Sequence, residues 1–332
     1  MDIRTIVLTD TDQAIYDHEI RPYLPQRIFD AHTHVLINAH YPNLSSVPLA
    51  SDPLLGNVDL VYLKQWWKTL FPDSVVNGLV LGFPVKGCDI PRINEYLAAN
   101  VPAEDRFSLL VHPSMSADEL EKQIVQYRPA GLKPYMVFAD VADIQQASIC
   151  DMIPEYQIAL AHKYELAITL HVSRPRGMAD PQNLADINWL VAKYPRCNFI
   201  LAHCGRCFIP PNMEDTLKHL PASSNLWMDT SAICDIGVFT MLFDGFDRSR
   251  ILFGTDLATV SGMRGTYIRM GMQWQWITAA QLAPFGGKPI EATYVAYESL
   301  CALIYAARFC KLPNSQVKDI FYNNAQRLFH RR

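Results

Sequence analysis

From Arg27 onward the chain repeats one pattern, in which a short apolar run is followed by a polar loop and a segment with apolar residues at helical spacing. The apolar runs predict eight strands that begin near Arg27, Asn77, Phe107, Gly131, Leu166, Asn198, Leu226 and Ile251. Several intervening segments follow an Asp, Ser or Pro of the kind that starts helices, and they predict helices at Ile93–Asn100, Ala117–Tyr127, Ile153–Tyr164, Pro181–Tyr194 and Val238–Phe243. Strands that alternate with helices indicate an α/β fold.

Eight such units in 332 residues predict a (β/α)₈ TIM barrel that forms a single domain over residues 1–332. The main alternative is a doubly wound open sheet, but the Gly-x-Gly-x-x-Gly motif of its nucleotide-binding form does not follow the first strand. Residues 1–26 are predicted to form an N-terminal lead-in, and residues 257–288 a loop excursion after the eighth strand. Two closing helices are predicted at Ile290–Ala307 and Ser315–His330.

Composition limits the classes of function. Half of the residues are hydrophobic, and the formal net charge of −4 gives no electrostatic reason to expect a nucleic acid or an anionic membrane as partner. The first residues carry no long apolar run, so we expect neither a signal peptide nor a membrane-spanning helix. We therefore expect a cytoplasmic protein that binds a small molecule, and the sequence leaves a homodimer open as one oligomeric state.

The eight cysteines are scattered, and most lie in apolar surroundings, which favours buried free thiols. Cys204 and Cys207 form a C-x-x-C pair. A zinc ribbon would need a second pair, and a haem attachment site would need a histidine where Phe208 stands. We therefore favour a structural role for this pair.

Two histidines close the first predicted strand, in the run Phe29-Asp30-Ala31-His32-Thr33-His34. Successive side chains of a strand point to opposite faces, so His32 and His34 point the same way. Converging imidazoles are typical of a metal site, because neutral imidazole nitrogen binds Zn²⁺ and its neighbours in the first transition row. The pair alone is also compatible with an exposed edge strand whose histidines face water.

Polar residues also end the other predicted strands, and catalytic groups of a barrel come from the carboxyl ends of several strands. These run-ends are His32, His34, His112, Lys133, His171, His203, Asp229 and Asp256. Taken singly, His112 and Asp229 are better explained as capped polar residues at a strand terminus. The set of His32, His34, His171, His203 and Asp256 offers ligands that Zn²⁺ accepts, with an open position for water.

These runs carry a family resemblance. Phe29-Asp30-Ala31-His32-Thr33-His34, Leu170-His171-Val172, Leu201-Ala202-His203-Cys204-Gly205 and Phe253-Gly254-Thr255-Asp256 resemble the metal-site motifs of the amidohydrolase superfamily. The chain is most similar to the amidohydrolase-related (type 2) family and its aminocarboxymuconate-semialdehyde decarboxylase branch. The resemblance implies a distorted barrel with one divalent metal ion, which is held by His32, His34, His171 and Asp256. It also implies that His203 is a catalytic histidine beside the metal.

The native metal is expected to be Zn²⁺, with Mn²⁺, Fe²⁺, Co²⁺ or Ni²⁺ as alternatives. In binuclear members of the superfamily a carbamylated lysine on the fourth strand bridges two metals. Lys133 stands where that lysine falls, in Gly131-Leu132-Lys133-Pro134-Tyr135. In the type 2 branch a single metal is usual, so we expect Lys133 to bind a substrate anion or to form an ion pair.

The predicted site supports two reactions. Water activated by the metal would attack an amide, lactone or related carbonyl bond, with Asp256 as general acid and base. His203 would donate to the substrate carbonyl oxygen or orient the water. We expect this hydrolysis, and the alternative is a non-oxidative decarboxylation of an unsaturated or aromatic carboxylate by the same site.

Substrate-binding groups are expected in the loops beyond the strands. Arg174 and Arg176 follow His171, Arg206 follows His203, and Arg264 lies in the excursion after the eighth strand; together with Lys133 these cations are candidate ligands of a substrate carboxylate. The alternative for each is a solvated loop charge or an ion pair.

Two other classes of protein fit the sequence less well. A metal-binding barrel without catalytic activity would lack the acid-base pair that Asp256 and His203 provide. A phosphate-processing barrel would carry a glycine-rich loop after strand seven, where the run 230–234 has no glycine.

Overall fold

The computed structural model describes residues 6–42, 56–284 and 286–329. The first five residues of the predicted lead-in and His330 of the last predicted helix lie outside these residues. Eight strands form one parallel sheet in sequence order: β1 Arg27–Val35, β2 Val75–Gly82, β3 Arg106–Leu110, β4 Gly131–Lys133, β5 Ala167–Leu170, β6 Asn198–Leu201, β7 Leu226–Asp229 and β8 Ile251–Leu252. All eight strand predictions are confirmed, because each strand begins within two residues of its predicted start.

The sheet curls so that its first strand meets the residues after its last. The N–H of Ala31 in β1 donates to the carbonyl of Phe253 at 2.8 Å, and the N–H of Asp256 donates to the carbonyl of His32 at 2.8 Å. These hydrogen bonds bring the two ends of the sheet together. The fold is therefore the predicted (β/α)₈ barrel, nearly closed.

Helices surround the barrel. Ser116 accepts a hydrogen bond from the N–H of Glu119 and caps the helix that begins at Ala117, and Asp180 accepts from the N–H of Gln182 and caps the helix that begins at Pro181. The longer helices are Leu60–Leu70, Ile90–Asn100, Ala117–Tyr127, Glu155–Lys163, Pro181–Lys193, Pro210–His219, Ile236–Gly245 and Val295–Phe309, and the shorter ones are Asp10–Ile15, Ile149–Met152, Asn314–Lys318 and Asn324–Phe329. In the part of the chain that the structure describes, none of the helices has the length and apolar character needed to cross a bilayer.

Two predicted helices differ from the structure in detail. The helix predicted over Ile153–Tyr164 is Glu155–Lys163, with Pro154 at its N-cap, and a separate short helix, Ile149–Met152, precedes it. The last predicted helix contains a wider π-helical turn at Asp319–Asn323 between its two α-helical parts.

The barrel interior is filled by alternate residues of its strands. This interior cluster contains Phe29, Ala31, Leu79, Leu81, Ala167, Ile200, Trp227 and Leu252. At its amino-terminal end Phe329 stacks on Phe29, with ring centroids 5.6 Å apart. The packed interior leaves the carboxyl ends of the strands as the place where polar side chains converge.

The segment 257–288 is not a loop throughout, which corrects the prediction. It contains an antiparallel hairpin of β9 Gly265–Met270 and β10 Gln273–Thr278. Gly271 turns the chain with a φ of 61°, and the run 273–276 alternates glutamine with tryptophan, which is the period of a strand.

Candidate metal centre and substrate site

A β-bulge in β1 directs its two histidines. The register of β1 against β2 shifts within residues 30–33. Phe29 and Ala31 lie in the interior cluster, and the Nε2 atoms of His32 and His34, which follow them, come within 3.2 Å of each other. A bulge changes the phase of side-chain alternation, so the histidine pair continues in the inward direction of the core residues.

His32, His34 and Asp256 form a three-residue group that could hold a metal ion. The Nε2 atoms of the two histidines lie 3.2 Å apart, and Asp256 Oδ1 lies 3.4 Å from His34 Nε2 and 3.7 Å from His32 Nε2. Ligands that sit about 2.1 Å from a tetrahedral ion are separated by roughly 3.4 Å. The spacing of these three atoms therefore fits a single divalent ion.

Burial alone would raise the pKa of Asp256, but a hydrogen bond with His34 and the nearby imidazoles hold this pKa below its usual range. The two histidines shift in the opposite sense, because burial lowers the pKa of His32 and of His34. The group therefore presents an ionised carboxylate and neutral imidazoles, which are the protonation states that metal binding requires.

Asp229 contacts the Nδ1 atom of His32, on the side of the ring that faces away from the metal group. Its Oδ2 lies 2.9 Å from His32 Nδ1, and both side chains are buried. Burial would raise the pKa of this carboxyl, yet the electrostatic interaction and the hydrogen bond with His32 lower it to about 2. An ionised carboxylate on Nδ1 leaves Nε2 free as a ligand. Asp229 was predicted only as a capped strand end, so the sequence prediction missed this contact.

His203 lies next to this group. Its ring stacks on His32 with centroids 4.9 Å apart, and its Nδ1 lies 2.9 Å from the hydroxyl of Ser231. Burial lowers the pKa of His203 to about 4, so the ring is neutral near pH 7. His203, Asp229 and His32 also form a second three-residue group within metal-binding range.

The turn that carries His203 is left-handed. His203, Cys204, Gly205 and Arg206 have φ values of 54°, 51°, 68° and 59°. Three of these residues have a Cβ, which makes this conformation unfavourable. The turn places the His203 ring at the metal group and sends the Arg206 side chain into a buried position beside it.

His171 lies beside the metal group but belongs to neither three-residue group. Its ring is 5.2 Å from His203 and 4.7 Å from Tyr135, measured between centroids. Its buried Nδ1 has no hydrogen-bond partner among the described residues. The predicted ligand role of His171 therefore stays a prediction.

Lys133 reaches into the metal group. Its Nζ lies 3.4 Å from His32 Nε2, and its side chain is buried. Burial lowers the pKa of Lys133 to about 8, against the opposing effect of Asp229 and Asp256. Lys133 thus lies beside the metal group, and its predicted role, to bind a substrate anion or to form an ion pair, stays a prediction.

The four candidate arginines lie in different surroundings. Arg174 contacts Gln146 and Asp180, and Arg176 pairs with Asp215 at the surface. Arg264 donates to both oxygens of buried Asp12 in the N-terminal lead-in, at 3.0 and 2.6 Å. These acidic partners already neutralise the three guanidinium groups. The proposed substrate site therefore does not include Arg174, Arg176 or Arg264.

Arg206 is different because its guanidinium is buried and has no acidic partner within the part of the chain that the structure describes. It is 7% exposed and donates through Nη1 to the carbonyl of Val172 at 3.0 Å, and no carboxylate of the described residues forms an ion pair with it. Burial lowers its pKa. A buried cation without a counter-charge is costly, so an anionic ligand fits this position.

An aromatic cluster covers Arg206 and His203. Phe208 lies 4.5 Å from the rings of both Tyr267 and Trp274, and it stacks on His203 at 6.0 Å. The Trp274 ring lies 5.7 Å from the Arg206 guanidinium carbon. Tyr267 and Trp274 belong to the hairpin of β9 and β10.

The remaining strand-end candidates contribute less. His112 is paired with the hydroxyl of Ser114 at 2.8 Å and lies outside both metal groups. Cys204 and Cys207 are free and buried, and their sulfurs contact Asp229 and Thr216 respectively. The structural interpretation of the C-x-x-C pair fits these contacts.

An eight-stranded barrel with a histidine and carboxylate cluster at the carboxyl ends of its strands defines an α/β-barrel enzyme. The chain belongs to the amidohydrolase family Amidohydro_2, whose model matches residues 77–331. This confirms the predicted family and makes the protein an enzyme of the amidohydrolase superfamily. The match begins within β2, so His32 and His34 precede it.

Several solved structures have a similar fold. The chain is similar to 5-carboxyvanillate decarboxylase from Sphingomonas paucimobilis, with 14% identity, a TM-score of 0.56 and coverage of 92% of this chain and 99% of that one. It is also similar to a probable 2-pyrone-4,6-dicarboxylic acid hydrolase from Acinetobacter baumannii, with 12% identity, a TM-score of 0.58 and coverage of 91% and 99%.

A third similar structure is 5-carboxyvanillate decarboxylase from Novosphingobium aromaticivorans, complexed with manganese and 4-hydroxy-3-methoxy-5-nitrobenzoic acid. It has 11% identity, a TM-score of 0.54 and coverage of 92% of this chain and 96% of that one. No curated protein matches the sequence significantly. At these identities the similarity establishes the fold, and the reaction must be argued from the site.

Proposed function

We propose that the protein is a metal-dependent hydrolase that cleaves an amide, lactone or related carbonyl bond of a small, carboxylate-bearing substrate. The observation that carries this proposal is the buried guanidinium of Arg206, which forms no ion pair with the described residues, beside a group of ligands with the spacing of a divalent ion. The cation suits a carboxylate, and the ligand group suits activation of water.

The residues have separate tasks in this reaction. A divalent ion held by His32, His34 and Asp256 would polarise a coordinated water or carbonyl oxygen and bring the pKa of water towards about 7. Asp256 accepts the proton of the attacking water and passes it to the leaving group. The bond from water oxygen to carbonyl carbon forms as the bond to the leaving group breaks. Arg206 holds the substrate carboxylate and fixes its orientation.

Decarboxylation is the second candidate, and the aromatic cluster favours it. Loss of CO₂ needs a substrate that can hold the electron pair left behind, which a conjugated ring provides. Phe208, Tyr267 and Trp274 form an apolar wall beside His203 and Arg206. The similar structures include both decarboxylases and a hydrolase.

A substrate panel tests the carboxylate proposal. Lactones, amides and unsaturated carboxylates are assayed with Zn²⁺-loaded and Mn²⁺-loaded protein, each acid beside its methyl ester. We expect turnover of acids and not of esters, and Arg206→Met should raise KM for the acid at least about tenfold. Arg176→Met is the matched control, since Arg176 pairs with Asp215 at the surface. Equal turnover of acids and esters would contradict the proposal.

The reaction type is decided by labelled water. With an active substrate in ¹⁸O-labelled water, hydrolysis places the label in a new product carboxylate. Release of CO₂ with entry of a solvent proton on carbon would replace hydrolysis by decarboxylation.

A further inference from the structure

Asp229 is a fully buried carboxylate at the end of β7, and both of its oxygens are engaged. Oδ1 accepts from the backbone N–H of His203 at 2.9 Å and from that of Ser231 at 3.1 Å. A backbone N–H can only donate, so Oδ1 is an acceptor. Oδ2 lies on Nδ1 of His32 at 2.9 Å.

Ser231 connects this carboxylate to His203. Its hydroxyl hydrogen is donated to Asp229 Oδ1, so the hydroxyl oxygen can only accept from His203 Nδ1, which lies 2.9 Å away. The backbone carbonyl of Ser231, 3.2 Å from the same Nδ1, is also only an acceptor. Both neighbours of His203 Nδ1 therefore require a hydrogen on that nitrogen.

We propose that Asp229 and Ser231 are positioning residues that fix His32 and His203 in the same tautomer, with hydrogen on Nδ1 and a lone pair on Nε2. One carboxylate thereby prepares His32 Nε2 as a ligand and His203 Nε2 as an acceptor. The catalytic meaning given to His203 rests on the proposed function. The tautomers are a property of the chain alone.

This hydrogen-bond network changes the role expected of His203. The sequence prediction allowed His203 either to donate to a substrate carbonyl or to orient the attacking water. A neutral ring with its hydrogen on Nδ1 has no hydrogen to donate from Nε2. His203 therefore accepts a hydrogen bond from the water and aims the water oxygen at the carbonyl carbon.

The tautomers are measured directly by ¹⁵N NMR of protein labelled at its ten histidines, both metal-free and loaded with diamagnetic Zn²⁺. The signals of His32 and His203 are assigned by their loss in His32→Gln and His203→Gln. We expect the Nδ1–H form at both sites in metal-free protein, and at His203 also after loading. A hydrogen on Nε2 of His203 would overturn the proposal, whatever the substrate panel shows.

Variants separate positioning from packing. Asp229→Asn replaces one acceptor with an NH₂ group, so we expect Zn²⁺ affinity to fall at least about tenfold. Ser231→Ala keeps the contact between Asp229 and His32, so Zn²⁺ affinity should stay within about twofold. In this variant kcat should fall more than KM changes, and Ser231→Thr should restore it by returning a hydroxyl.

Unchanged Zn²⁺ affinity in Asp229→Asn, together with unchanged kcat in Ser231→Ala, would refute the proposal. It would show that Asp229 and Ser231 contribute only to packing. If Asp229→Asn does not fold, the NMR of the unmodified chain and the Ser231 variants still decide the question. A protein with the expected tautomers that hydrolyses nothing in the panel would contradict only the proposed function.

Discussion

Arg206 and Arg264 were predicted for the same task, but they have different electrostatic partners. Arg264 pairs with Asp12, which lies 252 positions away in the sequence, and a local sequence pattern cannot predict such a contact. Arg206 lies three residues beyond the strand-end His203, and no carboxylate of the described residues forms an ion pair with it. Both arginines lie beyond a strand end, so only the fold could separate them.

Metal content should depend on His34 and not on every strand-end histidine. We expect His34→Ala to reduce bound metal from about one ion per chain to a small fraction of that, because one of three converging ligands is lost. His112→Ala is the matched control, since the His112 ring hydrogen-bonds Ser114 and lies outside both metal groups. Elemental analysis of purified protein measures both. Equal metal content in the two variants would contradict the assignment.

Asp256→Asn should fold normally and lose turnover by at least about 10²-fold, the scale of a general acid-base group. The amide keeps the shape of the side chain but can neither carry the charge nor accept the proton. Thermal unfolding checks the fold, and kcat on the best panel substrate measures the effect. Retention of most of the wild-type kcat would show that another group moves the proton.

At the level of strands and helices, the apolar runs were enough to predict β1 to β8, since each run is long enough to be buried. The bulge in β1 could not be predicted, because it depends on pairing with β2. The hairpin β9 and β10 was missed because its strands are half exposed and carry no continuous apolar run of the kind that predicted β1 to β8. Convergence of His32, His34 and Asp256 followed from barrel topology, whereas the role of Ser231 had no sequence signal.

Gly177 should be a sensitive position, because it packs against the left-handed turn. A Cβ at Gly177 would lie 2.4 Å from the carbonyl oxygen of Gly205 and 2.8 Å from that of Arg206. We expect Gly177→Ala to displace the turn, lower stability by about 1–3 kcal/mol and reduce kcat. Urea unfolding and steady-state kinetics measure the two effects.

Gly271→Ala is the matched control for this variant. Gly271 has a φ of 61°, close to the 57° of Gly177, but a Cβ there meets nothing within 4 Å. This control therefore reports the cost of positive φ alone. Comparable losses in both variants would show that contact with the turn is unimportant.

For the whole molecule, the buried neutral histidines make folding stability depend on pH. Burial lowers the pKa of His32, His34, His171 and His203, so between about pH 6.5 and 4 the unfolded chain binds more protons than the folded one. Stability of metal-free protein should be highest above about pH 6.5 and should fall as the pH drops. The shift of His203 from 6.5 to about 4 contributes on the order of 3 kcal/mol.

Urea unfolding of metal-free protein at several pH values between 7.5 and 4.5 checks this dependence. The pKa values of His203 in the unfolded and the folded chain differ by about 2.5 units, so most of its effect falls in this range. His203→Gln should flatten the acid side of the stability curve. Stability that is constant or rises on acidification would contradict burial of neutral histidines.

The left-handed turn at residues 203–206 also has a consequence for selection in the laboratory. Its three residues with a Cβ cost about 1–2 kcal/mol each, so substitutions that relax this backbone should raise heat resistance. The same substitutions would loosen His203 and Arg206. A screen of random variants for heat resistance alone should therefore enrich changes such as Cys204→Gly among survivors that have lost turnover.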